Sequence, residues 1–283
     1  MKRLLLTYCL LLFCIVQATA DGTYRRWNTA LENRTDVRKI RIVFQELDSI
    51  PDILDQFPNL EELDLSNNEI AYLPPSLFKC KKLKRLLLFR NQLKDIPAGL
   101  CALTQLEELS LSYNYITTLP DCIGSLKKLK RLSLSGNELE VLPDGIGRLE
   151  QLTALRLNSN HFKRLNNNIT KLKKLEVLDV GNNYLEVLPE HIGNLSSLKF
   201  LYINRNLLTT IPESVSKLQN LQELDAVRCG VLRLPAAFAD IWSLENVYID
   251  ERTIPFYQNP RFAGRQRIEV VGQANNVYRP TQN

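Results

Sequence analysis

Histidine is scarce in this chain: His161 and His191 are the only two in 283 residues. The side chain best suited to acid–base work near neutral pH is therefore almost missing. No HExxH, GxSxG, glycine-rich phosphate loop or paired CxxC appears anywhere along the sequence. Eleven Gly and thirteen Pro are too few for a low-complexity or collagen-like chain. Beyond the N-terminus no stretch approaches the ~20 apolar residues of a membrane helix. Charge of one sign is also in short supply. The formal balance is +5, too mild to demand a nucleic-acid partner.

What is present begins with a three-part N-terminus. Lys2 and Arg3 are followed by an apolar run from Leu4 to Val16, then by Ala18-Thr19-Ala20 before Asp21. This layout predicts a secretory signal peptide over 1–20, with an uncleaved anchor as the alternative. Cleavage would take Lys2, Arg3, Cys9 and Cys14 with it and leave a net charge of +3. The expected product is exported, as a secreted, periplasmic or cell-surface protein, and has no integral membrane segment.

The rest is dominated by one repeat. Leu60-x-x-Leu63-x-Leu65-x-x-Asn68-x-Ile70 aligns with Leu83-x-x-Leu86-x-Leu88-x-x-Asn91-x-Leu93, a step of 23 residues. Ten units follow without insertion or deletion, starting at 37, 60, 83, 106, 129, 152, 175, 198, 221 and 244. Alternation at the third and fifth places (Leu63 and Leu65, Leu86 and Leu88) predicts a short strand with one buried face. The eighth place carries Asn68, Asn91, Asn114, Asn137, Asn160, Asn183 and Asn206. A buried amide there can satisfy backbone groups that lose their partners as the chain turns out of the strand. A Leu-Pro or Ile-Pro pair follows in eight units and fails only at Leu165-Asn166. Ile123 and Leu126, with their copies Ile146 and Leu149, predict a helical or 3₁₀ turn on the return path. No unit can bury its own apolar face, so the units must stack into one continuous core.

The LxxLxLxxNxL strand and its LPxxIxxL return resemble the leucine-rich-repeat family, in the 23-residue type related to Ras-group and similar bacterial repeat proteins. The resemblance covers 37–254. It implies an α/β repeat solenoid: a curved horseshoe with a parallel β-sheet on the concave face and 3₁₀ or short helical turns on the convex side. It also implies recognition of partners on the concave face, without naming one. Tyr24, Trp27, Ala30 and Leu31 lie at helical spacing, so a helix over 23–33 is expected inside an N-terminal cap at 21–36. A C-terminal cap and tail are expected at 255–283, with a closing strand over Arg267–Val271. In the eighth place Gln45 and Cys229 depart from asparagine.

The second, fourth and sixth places of each unit should face outward on the concave sheet. Strands ~4.8 Å apart give ten units an arc on the order of 45 Å, a protein-sized surface. Two clusters of interface-type residues stand on it. The first is Leu87 and Phe89 with Arg90 and Tyr113; the second is Val177, Phe200, Tyr202 and Tyr248, flanked by Arg205 and Arg228. Ser110, Ser112, Ser133 and Ser135 form a low polar floor between them. In both clusters the alternative is that large side chains on neighbouring strands merely cover one another. Glu62, Arg85, Glu108 and Arg131 read as lateral ion pairs rather than a site. Lys81-Lys82, Lys127-Lys128 and Lys173-Lys174 read as a solvated flank, with an anionic-polymer surface as the alternative.

Cys80 and Cys229 occupy core registers and are expected to be buried. Cys101 and Cys122 lie on adjacent return turns, where a disulfide is conceivable. Asn33, Asn168 and Asn194 begin N-glycosylation sequons that matter only in a eukaryotic host. Neither catalysis, a metal nor a cofactor is expected. The expected function is recognition of a protein partner. A glycan or envelope-polymer receptor and an architectural adhesin segment are the alternatives.

Overall fold

The structure, a computed structural model, describes residues 22–253 and 267–270. The expected signal segment and most of the expected C-terminal cap lie outside the described residues. Twelve strands form one open parallel sheet and follow chain order across it. They are β1 (Thr23–Tyr24), β2 (Lys39–Arg41), β3 (Glu62–Asp64), β4 (Arg85–Leu87), β5 (Glu108–Ser110) and β6 (Arg131–Ser133). The second half comprises β7 (Ala154–Arg156), β8 (Val177–Asp179), β9 (Phe200–Tyr202), β10 (Glu223–Asp225), β11 (Asn246–Ile249) and β12 (Arg267–Val270). From β2 to β11 each residue pairs with its counterpart one repeat on. Leu63 lies opposite Leu86, and Leu86 opposite Leu109. The chain therefore winds as a curved solenoid.

Each strand is short because only its central leucine and the residue two places on point inward. On the return path 3₁₀ turns start directly after the proline, as at Ala98–Ala102, Asp121–Ser125 and Asp144–Arg148. Pro97, Pro120 and Pro143 hold φ at −61°, −67° and −67°, an extended lead-in that the ring enforces. Asn166 breaks the proline pattern yet keeps φ at −62°, and its side chain accepts from the Asn168 N–H. The apolar residues from Tyr24 to Ile249 pack as one cluster with no internal break. Burying one leucine is worth roughly 1.5–3 kcal/mol, so stability accumulates repeat by repeat.

The asparagines form a ladder. Asn114 Oδ1 accepts from Leu93 N at 3.0 Å, and its Nδ2 donates to Leu88 O and Leu111 O at 3.0 and 2.9 Å. Leu111 O accepts in turn from Asn137, and the carbonyls of Leu65, Leu88, Leu134, Leu157 and Val180 are likewise each shared by two amides. In the ninth unit the Cys229 thiol takes the amide's place and donates to Ile203 O at 3.1 Å. Gln45 in the first unit is exposed and donates to Phe44 O instead.

The N-terminal cap differs from the expected single helix over 23–33. Thr23 and Tyr24 pair with Lys39 and Ile40 as an added strand, and the helix α1 occupies Trp27–Glu32. The reason is the open edge of β2. Gly22, at φ +74°, turns its carbonyl to accept from Arg38 N and Lys39 N, which draws the next two residues into the sheet. At the other end β12 pairs with β11, placing Val247 opposite Ile268.

Candidate binding surface

Two rows of side chains flank the buried leucines on the outer face of the sheet. In the first six strands these rows neutralise themselves. Arg41 Nε lies 3.3 Å from Asp64, Arg85 sits between Glu62 and Glu108 at 3.0 and 2.8 Å, and Arg131 meets Glu108 at 2.7 Å. Burial pushes the Glu108 carboxyl up, but hydrogen bonds from Arg131 and Arg85 outweigh it and hold the group below the usual carboxylate range. The charge series seen in the sequence is thus a set of lateral ion pairs.

The lysine pairs are also engaged within the fold. Lys81, Lys127 and Lys173 donate to Ala102 O, Arg148 O and Asn194 O, each the last residue of the following 3₁₀ turn. Lys82, Lys128 and Lys174 donate to Asn59, Gln105 and Gln151 one repeat back. They hold one repeat against the next.

One backbone feature aims the rim of the sheet. The residue just before each ladder position is left-handed: φ is 54° at Arg90, 58° at Tyr113, 65° at Gly136, 54° at Arg205 and, before Cys229, 61° at Arg228. The turn lifts these side chains out at the strand ends. Gly136 stands out because a Cβ there would lie 2.8 Å from the Tyr113 ring. Its missing side chain is the space Tyr113 fills.

The first expected cluster comes together as a packed unit. Phe89 and Tyr113 meet edge to face with ring centroids 5.2 Å apart, while Leu87 is half-buried and Arg90 exposed. Beside it the serine floor is partly closed. Ser112 and Ser135 are buried, and Ser135 N donates to Ser112 Oγ.

In the second cluster Val177, Phe200 and Glu223 are successive partners in one row, and Asp179, Tyr202, Asp225 and Tyr248 in the next. Phe200 and Tyr202 are half-buried on an open face. Arg205 and Arg228 stand exposed at the rim, where the Arg228 N–H donates to Asp250. The acids between the rings are functional candidates that the repeat pattern alone does not single out. Burial pushes the Asp179 carboxyl up to about 6, against a backbone N–H from Gly181 and the attraction of Arg156. Asp225 is likewise pushed up to about 6 by burial and by the charges of Asp179 and Glu223. Tyr202 is raised far above an ordinary phenol, by burial first and then by the charges of Glu223, Asp179 and Asp225. Register places Asp179 and Asp225 outward, in the position of Leu87 and Tyr248, but does not show that their charge is unmatched.

His161 and His191 do not share a site; His161 lies beside Tyr184 on the flank, with ring centroids 6.0 Å apart. Among the described residues no group of three His, Cys, Asp or Glu could hold a metal. Cys101 and Cys122 form a disulfide with Cα atoms 5.8 Å apart, and Cys80 and Cys229 are buried free thiols. Burial pushes both thiols up to about 12, so neither is a ready nucleophile.

Family profiles fit this geometry. A "leucine-rich repeat region" profile matches residues 100–186 and 145–238, and a "leucine rich repeat" profile matches 58–116. This chain belongs to the leucine-rich-repeat family. No curated protein matches its sequence. Among solved structures, a leucine-rich-repeat protein of Leptospira interrogans is 33% identical with a TM-score of 0.78, over 82% of this chain and 59% of that one. The ectodomain of an Arabidopsis thaliana membrane receptor kinase, in complex with Casparian strip integrity factor 2, is 28% identical with a TM-score of 0.68. That match covers 81% of this chain and 28% of the receptor. An internalin from Listeria monocytogenes shares the fold at 20% identity and a TM-score of 0.65, over 80% and 72% of the two chains. This leucine-rich-repeat chain thus spans about three fifths of the Leptospira protein and under a third of the plant receptor. Among the described residues no helix is long and apolar enough to cross a membrane.

Proposed function

We propose that this chain is an exported, non-enzymatic module that binds a protein partner on its concave sheet, chiefly through the second cluster. The observation that carries the reading is the row geometry of β8–β11. Val177, Phe200, Tyr202 and Tyr248 stand in register on an open face, with Arg205 and Arg228 at its rim. Large aromatic side chains and arginine dominate binding energy where they can be desolvated. Phe89 and Tyr113, by contrast, pack edge to face against each other, and with Leu87 and Arg90 they form the secondary contact. The Arabidopsis ectodomain, solved in complex with Casparian strip integrity factor 2, supports the use of such a scaffold for binding. Export is supported by the Cys101–Cys122 disulfide, since such bonds persist in oxidising compartments, and by the basic, apolar and small-residue order of residues 1–20.

Affinity capture from the native envelope or culture fluid tests this, with the Phe200→Ala, Tyr202→Ala double variant as control. The expected result is a protein retained by the wild type and weakened at least about tenfold by the double variant, since losing two central aromatics typically costs several kcal/mol. Equal retention by both, or capture of a glycan and no protein, would count against the proposal.

A further inference from the structure

Charge on the concave floor is divided by pairing. In β2–β6 the floor acids are matched: Asp64 has Arg41, Glu62 and Glu108 share Arg85, and Glu108 also has Arg131. In β8–β10 they are not. Asp179, Glu223 and Asp225 have no ammonium or guanidinium within ion-pair distance among the described residues. Arg156 is the strand partner of Asp179, and Arg205 lies at the rim near Asp225, yet both act only through space.

These acids alternate with rings. Asp179, Tyr202, Asp225 and Tyr248 are consecutive partners across four strands, and Phe200 stands beside Glu223 in the adjoining row. Two strand steps separate Asp179 from Asp225 by on the order of 10 Å, the reach of two side chains two or three residues apart in an extended peptide. A ring between two carboxylates offers a basic side chain both things it needs. The aromatic face takes the guanidinium plane or the lysine stem, and the carboxylates take the charge.

We propose that the floor of β8–β11 docks an extended basic segment of the partner protein, with an arginine or lysine side chain lying over Tyr202 between Asp179 and Asp225. This rests on the concave-face reading above and deepens it. The arrangement is costly to the chain alone, because burial opposes the charge on both aspartates. A docked cation offsets that cost. The groups around the two aspartates are Arg156 on β7, Tyr202 on β9, Glu223 on β10 and Tyr248 on β11, with Arg205 and Arg228 at the rim; Asp250 accepts from the Arg228 N–H, and Glu269 is the strand partner of Tyr248. Asp179, Asp225 and Glu223 lie on the floor among the rings while the three arginines stand at its edges, so the site keeps its preference for cations until the aspartates are protonated.

The test is fluorescence anisotropy of the full chain with two labelled nonapeptides, one alternating Arg with Thr and the other Glu with Thr. The Arg peptide is expected to bind and the Glu peptide to fail. Asp179→Asn with Asp225→Asn should weaken the Arg peptide by roughly tenfold or more, while Asp64→Asn, whose carboxylate is already matched by Arg41, leaves it unchanged. Lowering the pH from 7.5 to 5 should weaken wild-type binding in the same direction. Asn keeps the shape of the aspartate and its acceptor for the Gly181 or Val227 N–H, so a loss is not a folding failure. Equal affinity for the two peptides, or Arg-peptide binding unmoved by the Asn pair, would overturn the proposal. If Phe200→Ala with Tyr202→Ala releases the captured partner while the Asn pair retains it, the basic-segment assignment fails and the concave-face reading stands.

Discussion

Asn137→Ala is expected to destabilise the solenoid by about 3 kcal/mol, although the side chain touches no proposed ligand surface. Asn137 is buried, with Oδ1 accepting from Ile116 N at 3.0 Å and Nδ2 donating to Leu111 O and Leu134 O at 3.0 and 2.9 Å. Truncation leaves the Ile116 N–H without a partner inside an apolar stack, which alone costs ~1–3 kcal/mol. The two carbonyls fare better, because Leu111 O keeps Asn114 and Leu134 O keeps Asn160. That sharing limits the damage to one ladder rung and keeps the loss below that of three orphaned groups. Urea unfolding should show the lower midpoint, and amide exchange should accelerate first around Ile116. A loss under about 1 kcal/mol would mean that the ladder is not a main source of the solenoid's stability.

The second large effect has the opposite sign. Asp179→Asn should stabilise the chain near pH 7, by roughly 2 kcal/mol, and Asp225→Asn should do the same. Both folded-state values lie near 6, above the ordinary 3.8. Between about pH 4 and 6 the native state therefore holds protons that the unfolded chain has released. Their contribution is fully present at the acid end of that window and is lost as pH rises through 6. The asparagine variants should lack this dependence while keeping the backbone N–H partner. Glu61, Glu107, Glu108, Asp52 and Asp121 are shifted the other way, chiefly through hydrogen bonds or ion pairing. They destabilise the fold as pH falls through their own lowered values. Thermal melts of variant and wild type across pH 4 to 7 isolate the aspartate contribution as a difference. If the two curves run parallel, the aspartates are not strained by burial.

Most of the fold is legible in the spacing of the leucines, for a physical reason. A 23-residue period fixes which side chains stack, so Leu63, Leu86 and Leu109 are placed as neighbours by spacing alone. The same logic places Phe200 and Tyr202 on the outer face. It does not pick out the carboxylates between the rings, because Asp179 and Asp225 look like ordinary polar residues at outward positions. Only three-dimensional burial shows that their charge is unmatched. Lys81 and Lys127 read as solvated, since a lysine's reach to a carbonyl 21 residues on depends on how the turns stack. The cap departs from expectation at Tyr24 because helical spacing competes with an open sheet edge, and the edge wins. Spacing also leaves the pairing of Cys101 with Cys122 open, because register brings them near each other without fixing side-chain direction.

The left-handed row at the strand ends has a consequence for how this molecule can change. Phe44, Asn67, Arg90, Tyr113, Ser159, Asn182, Arg205 and Arg228 share one backbone geometry and little chemistry; glycine, which that geometry suits best, occurs in the row only at Gly136. Each of the others accepts a penalty of about 1 kcal/mol to keep a side chain there. The row behaves like a line of movable type. A letter can be exchanged without disturbing the stack behind it, so new specificities can evolve along this edge faster than the interior can drift.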